Sequence, residues 1–351
     1  MMVFGVDPHK GSHTAAGVDE MGRKAAHKKV RSGREGSREL IAWARDLAPG
    51  GRRWAVEDVR HVASGLVREL LAAGEEVVFV PTRMMAAARA GGRESGKSDP
   101  IDALANARAA LREDAWLPAA RLDARVLEVR RLADHRDDLV AERTRTVNRL
   151  RWLVHDLDPA LAPPPRSLAA ARARELLAAG LRALPASAGR RVALSQLEAV
   201  ARLSAEVSAL ETDLRALLED LCPALLGICG IGTVTAARIL GETGDVRRFR
   251  SSAAYARHNG TAPIPASSGR SDVHRLNRGG NRQVNAAVHR AALTQARCHQ
   301  PARDLLERRA GTIRETRKAA LRALKRHLSD VIYRALRADA WRLDQPQHKA
   351  A

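Results

Sequence analysis

Two carboxylates stand at helical spacing in the stretch Lys97-Ser98-Asp99-Pro100-Ile101-Asp102-Ala103. Serine is a favoured N-cap and proline is tolerated in the first helical turn, so a helix is predicted to begin here. Residues at i and i+3 share a helix face, which places Asp99 and Asp102 side by side. A divalent cation relieves their repulsion, and Mg²⁺ prefers carboxylate ligands. The alternative is an acidic first turn that interacts only with the helix dipole.

Two further acids follow short apolar runs that are predicted to be strands. Asp7 comes directly after Val3–Val6, and Glu57 comes directly after Trp54-Ala55-Val56. Functional side chains gather at the carboxyl ends of parallel strands, so all four acids are expected to meet. Together they would hold two Mg²⁺ ions acting on a phosphodiester. Taken singly, Asp7 could be a turn residue and Glu57 a solvated strand end.

The first third of the chain predicts a ribonuclease H-like α/β fold. Turn residues and apolar periodicity separate three strands of an antiparallel ribbon from a parallel part in which helices and strands alternate. The predicted strands are Val3–Val6, Thr14–Val18, Lys24–Val30, Trp54–Val56 and Glu76–Val80, and the predicted helices are Glu35–Leu47, Val62–Ala73 and one that begins near Asp99.

Charge and composition point to a polyanionic partner. The chain has 351 residues, a formal net charge of +20 and a pI of about 11.2. That balance favours nucleic acid ahead of a membrane surface. Three cysteines without paired spacing predict neither a disulfide framework nor a zinc site. There is no long apolar run and no basic leader followed by an apolar segment, so we expect a cytoplasmic, nucleoid-associated protein without a membrane segment.

The middle of the chain predicts two long helices, at Leu122–Leu157 and at roughly Arg190–Leu221. In the second, leucine and valine alternate steps of four and three from Leu203 to Leu221, which is a heptad pattern. We predict a coiled coil that forms either within the chain or between chains; an ordinary helical bundle is the alternative. Prolines between residues 159 and 165 predict a loop, and a basic helix is predicted at Arg308–Arg337.

The last third contains two phosphate-binding candidates. Gly230-Ile231-Gly232 resembles a helix-hairpin-helix turn, whose glycines and following helix N-terminus can approach a phosphate; a tight turn without a ligand is the alternative. Farther on, Ser267 and Ser268 lie in a loop rich in glycine and proline. Arginines that can orient a phosphodiester surround it. Either serine could be a nucleophile, and the chemistry of the residues does not separate them. The alternative, which the residues alone favour, is a turn serine in a phosphate-binding loop.

These patterns together resemble the DEDD transposases of bacterial insertion sequences, the bridge-RNA-guided recombinases. Gly5-Val6-Asp7-Pro8-His9-Lys10 is similar to the first acidic motif of that family, and Glu57 fits the second. The stretch Lys97–Ala103 fits the paired third and fourth. Gly260–Pro263 with Ser268-Gly269, followed by Arg275–Arg282, is similar to the signature of its C-terminal domain. In that signature the serine before glycine is the nucleophile, which selects Ser268.

The resemblance implies an architecture and an activity. It implies a RuvC-like catalytic domain at residues 1–115, a helical coiled-coil region at 116–222 and a mainly helical transposase domain at 223–340, and we expect a disordered tail at 341–351. The implied enzyme cuts and rejoins DNA through Mg²⁺-dependent phosphoryl transfer, with a covalent phosphoserine link and a Holliday-junction-like intermediate. Two other hypotheses stay open: a junction endonuclease without a serine step, and a non-catalytic nucleic-acid-binding protein.

The partners implied are donor and target double-stranded DNA, a non-coding guide RNA and further copies of the chain. The family assembles dimers into tetramers, with composite sites that combine the acids of one protomer with the serine of another. The catalytic and metal-binding candidates are Asp7, Glu57, Asp99 and Asp102, with Ser268 as nucleophile. The candidates for nucleic-acid contact are Lys10, Arg93, Lys97, Gly230, Gly232, Arg270, Arg275, Arg278 and Arg282.

Overall fold

The structure is a computed structural model that describes residues 1–57, 62–80, 84–85, 88, 98–113, 117, 119–265, 274–275, 277, 279–310 and 316–345. The chain divides into two compact units, each built from two separate stretches. The sheet unit comprises 1–122 and 245–280, and the helical unit comprises 123–244 and 281–351. The sequence predicts consecutive domains that end at 115, 222 and 340, and those functional boundaries stay a prediction.

A five-stranded mixed sheet is the centre of the sheet unit. Its strands are β1 (Met2–Pro8), β2 (Ser12–Val18), β3 (Lys24–Arg31), β4 (Arg52–Glu57) and β5 (Glu76–Val80). The order is β3-β2-β1-β4-β5, with antiparallel pairing from β3 to β1 and parallel pairing from β1 to β5. This confirms the predicted antiparallel ribbon followed by a parallel part.

Helices surround the sheet and make up most of the helical unit. In chain order, those that the structure describes are α1 (Arg34–Leu47), α2 (Ser64–Ala72), α3 (Asp99–Glu113), α4 (Ala124–Leu157), α5 (Ala171–Ala183), α6 (Ala188–Leu221), α7 (Pro223–Leu226), α8 (Thr233–Thr243), α9 (Ser252–His258), α10 (Arg282–Cys298), α11 (Gln300–Ala310) and α12 (Arg317–Leu343). Two short strands, β6 (Ile264–Pro265) and β7 (His274–Arg275), form an antiparallel pair in the sheet unit.

Strand alternation assigns the two faces of the sheet. Phe4 and Trp54 lie on one face, in a buried cluster with residues of α1 and α2 such as Leu40 and Leu66. The residues next to these two along each strand point to the opposite face of the sheet, which the buried alanines of α3 cover. Successive side chains of a strand point to opposite faces. Asp7 on β1 and Glu57 on β4 therefore lie on the face that α3 covers.

In the helical unit, α4 and α6 pack against each other within the chain. Leu139 of α4 lies in a buried cluster with Leu203 and Val207 of α6, which belong to the predicted heptad pattern. Intrachain pairing is thus one of the two arrangements that the sequence allows, while the coiled-coil geometry stays a prediction. Helix α4 begins at Ala124 rather than Leu122, because the Asp123 carboxylate accepts hydrogen bonds from the backbone N–H groups of Arg125 and Val126.

Two predictions of secondary structure were wrong. The region after the prolines contains α5, where the sequence predicted only a loop; the buried side of this helix is narrow, consisting of Leu177 and Leu181, so the helical period is weak. The predicted basic helix at Arg308–Arg337 spans parts of two helices, α11 and α12, on either side of residues 311–315. Across the described residues, no helix combines the length and hydropathy of a membrane span.

Candidate metal centre

The centre begins with a row of side chains across the antiparallel part of the sheet. Asp7 of β1 pairs with Thr14 of β2, and Thr14 pairs with Lys29 of β3. Residues directly opposite one another on neighbouring strands point to the same face. Lys29 reaches Asp99, because its Nζ lies 2.8 Å from Oδ2 of that residue. The row thus consists of the carboxylate of Asp7, the hydroxyl of Thr14 and the ammonium group of Lys29, which contacts Asp99 at the start of α3.

Helix α3 is held against β1 at backbone distance. A Cβ atom at Gly5 would lie 2.1 Å from the carbonyl oxygen of Ala103 and 2.2 Å from the backbone nitrogen of Ala107, so only glycine fits. One turn along, Nδ2 of the fully buried Asn106 donates a hydrogen bond of 2.8 Å to the carbonyl oxygen of Val6. These contacts, made one to two turns into the helix, hold α3 against β1.

Three ligand-type side chains meet at this point. His9 Nε2 lies 3.0 Å from Oδ2 of Asp7 and 3.4 Å from Oδ1 of Asp99. One ligand atom from each of Asp7, His9 and Asp99 can be chosen so that all three lie within 4.8 Å of one another. Asp7 is almost fully buried, whereas His9 and Asp99 are partly open to solvent. The group therefore has a buried end and an accessible end.

Electrostatics differ sharply between the two aspartates. Burial raises the pKa of Asp7, His9 lowers it, and the nearby Asp102 and Asp99 carboxylates raise it again, with a net increase. Asp99 behaves oppositely, because the hydrogen bond from Lys29 holds its pKa below the ordinary value. The ionised form of Asp7 is thus disfavoured at the buried end of the group, whereas the ionised form of Asp99 is favoured at its accessible end. A divalent cation would reverse the penalty at Asp7.

The other two predicted acids lie on the same side of the sheet unit. Asp102 is buried on α3, and its negative charge contributes to the raised pKa of Asp7. Glu57 is buried at the end of β4, one residue beyond the parallel pair Val6–Val56. Neither belongs to the group of donor atoms formed by Asp7, His9 and Asp99. The structure therefore brings the four acids to one end of the sheet, with Asp7 and Asp99 nearest to a common ligand position.

Buried polar atoms beside the centre test whether a cation fits there. Thr14 is 1% exposed and lies opposite Asp7, and its buried hydroxyl has no hydrogen-bond partner among the described residues. Within the same part of the chain, the amide oxygen of Asn106 is likewise buried without a donor. A buried acceptor without a donor costs free energy unless an ion or water completes its contacts. Two carboxylates and an imidazole, with the Thr14 hydroxyl on the same sheet face as Asp7, form a donor set that suits a hydrated divalent cation.

Comparisons with known proteins agree along nearly the whole chain. Residues 4–159 match a transposase family model of the DEDD type found in IS110, and residues 222–307 match the model described as the transposase IS116/IS110/IS902 family. The 44.8 kDa protein of insertion element IS116 from Streptomyces clavuligerus is 30% identical over 95% of this chain and 94% of its own length. The chain belongs to this transposase family.

Other relatives of the transposase extend the comparison. The 42 kDa protein of insertion element IS900 from Mycobacterium paratuberculosis is 29% identical over 96% of each chain. Among solved structures, T. thermophilus RuvC in complex with a Holliday junction substrate is 16% identical, with a TM-score of 0.27; the match covers 34% of this chain and 99% of that chain. The family assignment rests on the relatives and the family models alone.

The transposase's predicted phosphate-binding turn lies in the helical unit. Gly230 has a positive φ of 83°, and a Cβ atom there would lie 2.8 Å from the carbonyl oxygen of Ala291 on α10, so packing alone requires this glycine. Gly232 precedes α8, and nothing lies within 4 Å of a Cβ atom placed on it. Packing thus accounts for Gly230 but not for Gly232, and the space at Gly232 is open to a ligand.

The remaining predicted contacts of the transposase are only partly described. Lys10 and Arg282 are exposed. Arg275 lies on β7, but its side chain is not among those described. Outside the described residues lie Arg93, Lys97, Ser267, Ser268, Arg270 and Arg278. The prediction that Ser268 is a nucleophile therefore rests on the sequence signature alone.

Two residues of the centre, the possible ligand His9 and the cation Lys29, were not predicted from the sequence. His9 stands two residues after Asp7, and side chains two apart along an extended chain share a face, so spacing alone could have pointed to it. Lys29 has no such signal. Its position depends on the register between β2 and β3 and on the approach of α3, neither of which the sequence gives.

Proposed function

We propose that this transposase cuts and rejoins DNA strands of an insertion sequence by Mg²⁺-dependent phosphoryl transfer. The observation that carries the proposal is the centre itself. The stretch matching the DEDD transposase model contains two carboxylates, Asp7 and Asp99, whose oxygens approach a common position at the end of a mixed sheet. Carboxylates converging at such a position suit metal-assisted displacement at phosphorus.

The acidic residues would act as the metal ligands. Asp7, Glu57, Asp99 and Asp102 would hold two Mg²⁺ ions, with Asp7 at the buried end and Asp99 at the entrance. Such ions polarise a phosphodiester and stabilise the attacking and leaving oxygens. The protein's own part is to keep α3 against β1, so that the carboxylates stay at a fixed separation.

The covalent step is assigned to Ser268. Its hydroxyl oxygen would attack phosphorus and form the serine–phosphate bond, while the bond to the leaving DNA oxygen breaks and that oxygen takes up a proton. Reversal with another strand's hydroxyl rejoins DNA and frees the serine. Arg270, Arg275, Arg278 and Arg282, which follow the serine closely in sequence, would neutralise the phosphate.

Positive charge would position nucleic acids, and base pairing would read their sequence. The net charge of +20 suits two polyanions, the DNA and a non-coding guide RNA. Lys10, Arg93 and Lys97 would contact the backbone near the acids, and Gly230-Ile231-Gly232 would contact it through the start of α8. Self-association into dimers and tetramers belongs to the same proposal.

The test is a covalent adduct assay. Full-length protein is incubated with Mg²⁺, the RNA that flanks its gene and labelled DNA carrying the element junction, and the products are separated on a denaturing gel. We expect a protein–DNA adduct that Ser268→Ala abolishes and that the matched variant Ser267→Ala retains. Asp99→Asn should remove the adduct without preventing DNA binding.

Other outcomes separate the competing functions. Free cleaved DNA without adduct, unchanged by Ser268→Ala, would replace the proposal with a junction endonuclease that uses water. A non-catalytic binding protein would bind the DNA but give no metal-dependent product from the intact junction and RNA. Asp7→Ala would then leave its DNA binding unchanged.

A further inference from the structure

We propose that His9 is a nitrogen ligand of the divalent ion held by Asp7 and Asp99, and that it biases the centre toward Mn²⁺ and Co²⁺ relative to Mg²⁺. The inference rests on the proposed function, because it concerns the same metal centre. It adds a ligand that lies outside the four acids, and a metal preference that four carboxylates alone would not produce.

The position of the imidazole supports ligation. Its Nε2 lies between the two carboxylates, 3.0 Å from Oδ2 of Asp7 and 3.4 Å from Oδ1 of Asp99. Atoms bound to one ion at about 2.0–2.2 Å cannot be more than about 4.4 Å apart. Both separations fall inside that limit. One ligand atom of each of the three residues lies within 4.8 Å of the others, so small side-chain movements would bring the nitrogen and both carboxylates to one ion.

The backbone fixes His9 at this place. Pro8, the last residue of β1, restricts the chain just before it, and the N–H of His9 donates a hydrogen bond of 2.8 Å to the carbonyl oxygen of Ser12. The turn between β1 and β2 is thus closed at the histidine. A ligand on a restrained backbone loses little conformational entropy when it binds an ion.

An independent observation points to a ligand at the same place. The hydroxyl of Thr14 is buried, has no hydrogen-bond partner and shares a sheet face with its cross-strand neighbour Asp7. No donor in the described part of the chain satisfies it. A metal-bound water beside Asp7 would supply that hydrogen bond, whereas an ion pair between His9 and Asp7 leaves the hydroxyl unsatisfied.

The chemistry of imidazole gives the metal preference. Neutral imidazole is a softer donor than carboxylate. It binds divalent ions of the first transition series better than Mg²⁺, which prefers oxygen, and the gain should be larger for Co²⁺ than for Mn²⁺, which also accepts oxygen ligands readily. Ligation through Nε2 requires the proton to be on Nδ1. Replacing one oxygen ligand by this nitrogen should raise affinity for Mn²⁺ and Co²⁺ while adding little for Mg²⁺.

Pulsed electron paramagnetic resonance of bound Mn²⁺ tests ligation directly, without any measurement of activity. The full-length protein loaded with Mn²⁺ should show modulation from a directly bound nitrogen nucleus, and isotopic labelling of histidine should change that signal. His9→Ala should lose the modulation. His27→Ala, which removes an exposed histidine from β3, should keep it. Circular dichroism checks that both variants are folded.

Calorimetry with each metal tests the preference. His9→Ala should weaken Mn²⁺ and Co²⁺ binding about tenfold or more, the size seen when groups that support a metal site are lost. Mg²⁺ binding should weaken by less than about threefold, since oxygen ligands dominate its affinity. Equal losses for all metals would overturn the preference.

The outcomes distinguish this inference from the proposed function. Mn²⁺ binding that Asp99→Asn abolishes, but without nitrogen modulation in the unmodified protein, leaves the metal-dependent transposase intact and refutes His9 as a ligand. Modulation that survives His9→Ala and disappears in His13→Ala also refutes it, because His13 is then the donor. Absence of Mn²⁺ binding at millimolar metal would refute both.

Discussion

Two helix contacts of this transposase are built in opposite ways. In the sheet unit, α3 meets β1 backbone to backbone, with Gly5 against Ala103 and Ala107 and a single amide hydrogen bond from Asn106. In the helical unit, α4 and α6 meet through large aliphatic side chains such as Leu139 and Leu203. The first contact leaves almost no space, and the second distributes its burial over many side chains.

The difference explains what each contact is suited to do. A backbone contact fixes the separation of two elements to within a fraction of an ångström, which a set of metal-binding carboxylates requires. It is correspondingly intolerant, because no flexible side chain can move aside. Interlocking leucines tolerate local loss, since neighbouring side chains relax into part of the vacated volume.

The largest effect is expected from Gly5→Ala. The added methyl group would meet backbone atoms of Ala103 and Ala107 at 2.1 and 2.2 Å. Overpacking typically costs ~1–3 kcal/mol and sometimes more, and here no side chain can yield, so we expect a cost beyond that range. Circular dichroism should show loss of the sheet unit, and calorimetry should show no metal binding.

A matched glycine provides the control for that contact. Gly65→Ala lies in the first turn of α2, where nothing is within 4 Å of the added Cβ. We expect unchanged or slightly higher stability, by up to ~1 kcal/mol, because alanine suits a helix better. If both variants unfold alike, steric collision at Gly5 is not the cause.

The next effect is expected from Leu203→Ala in α6. This side chain is buried in the cluster with Leu139 and Val207, and truncation of a buried leucine costs ~2–5 kcal/mol. Urea unfolding should show the loss, while the affinity for Mn²⁺ stays unchanged in the folded protein. Reduced metal affinity would contradict the view that the two contacts are energetically separate.

A smaller effect is expected from Asn106→Leu, which keeps the branching and the number of side-chain heavy atoms but removes the hydrogen bond to the Val6 carbonyl. An unsatisfied buried acceptor costs ~1–3 kcal/mol. Because the same bond positions α3, metal affinity should fall as well, in contrast to Leu203→Ala. Arg112→Ala, on an exposed position of the same helix, serves as the control and should change neither quantity.

The smallest expected change in stability is an increase, from Asp7→Asn. Burial raises the pKa of Asp7 above its unfolded value, so the ionised carboxylate costs stability, and this cost develops as pH rises from the ordinary aspartate pKa through the raised one. Asp7→Asn should therefore raise the unfolding midpoint of the metal-free protein at neutral pH and abolish metal binding. A lower midpoint at neutral pH would show that Asp7 is favourably ionised.

Sequence periodicity was sufficient to predict most strands and helices of the sheet unit. The strands alternate cleanly, and an acid directly after a strand lies at a predictable edge, so Asp7 and Glu57 could be placed. Lys29 could not, since it depends on strand register and on the approach of α3. Helix α5 was missed because only Leu177 and Leu181 form its buried side, and an alanine-rich helix carries a weak apolar pattern.

The sheet unit has a consequence for synthesis on the ribosome, because its two stretches are far apart in the chain. Arg248, from the later stretch, lies over the ring of Phe79 on β5. The unit is complete only when Gly280 has been made, 158 residues after Leu122. Translation proceeds at about 5–20 residues per second, so the stretch that carries the acids is made roughly 8–30 seconds before the unit is complete. The first stretch of the helical unit, residues 123–244, is synthesised in that interval. The sheet unit is therefore begun first but completed only after a large part of the helical unit has been made.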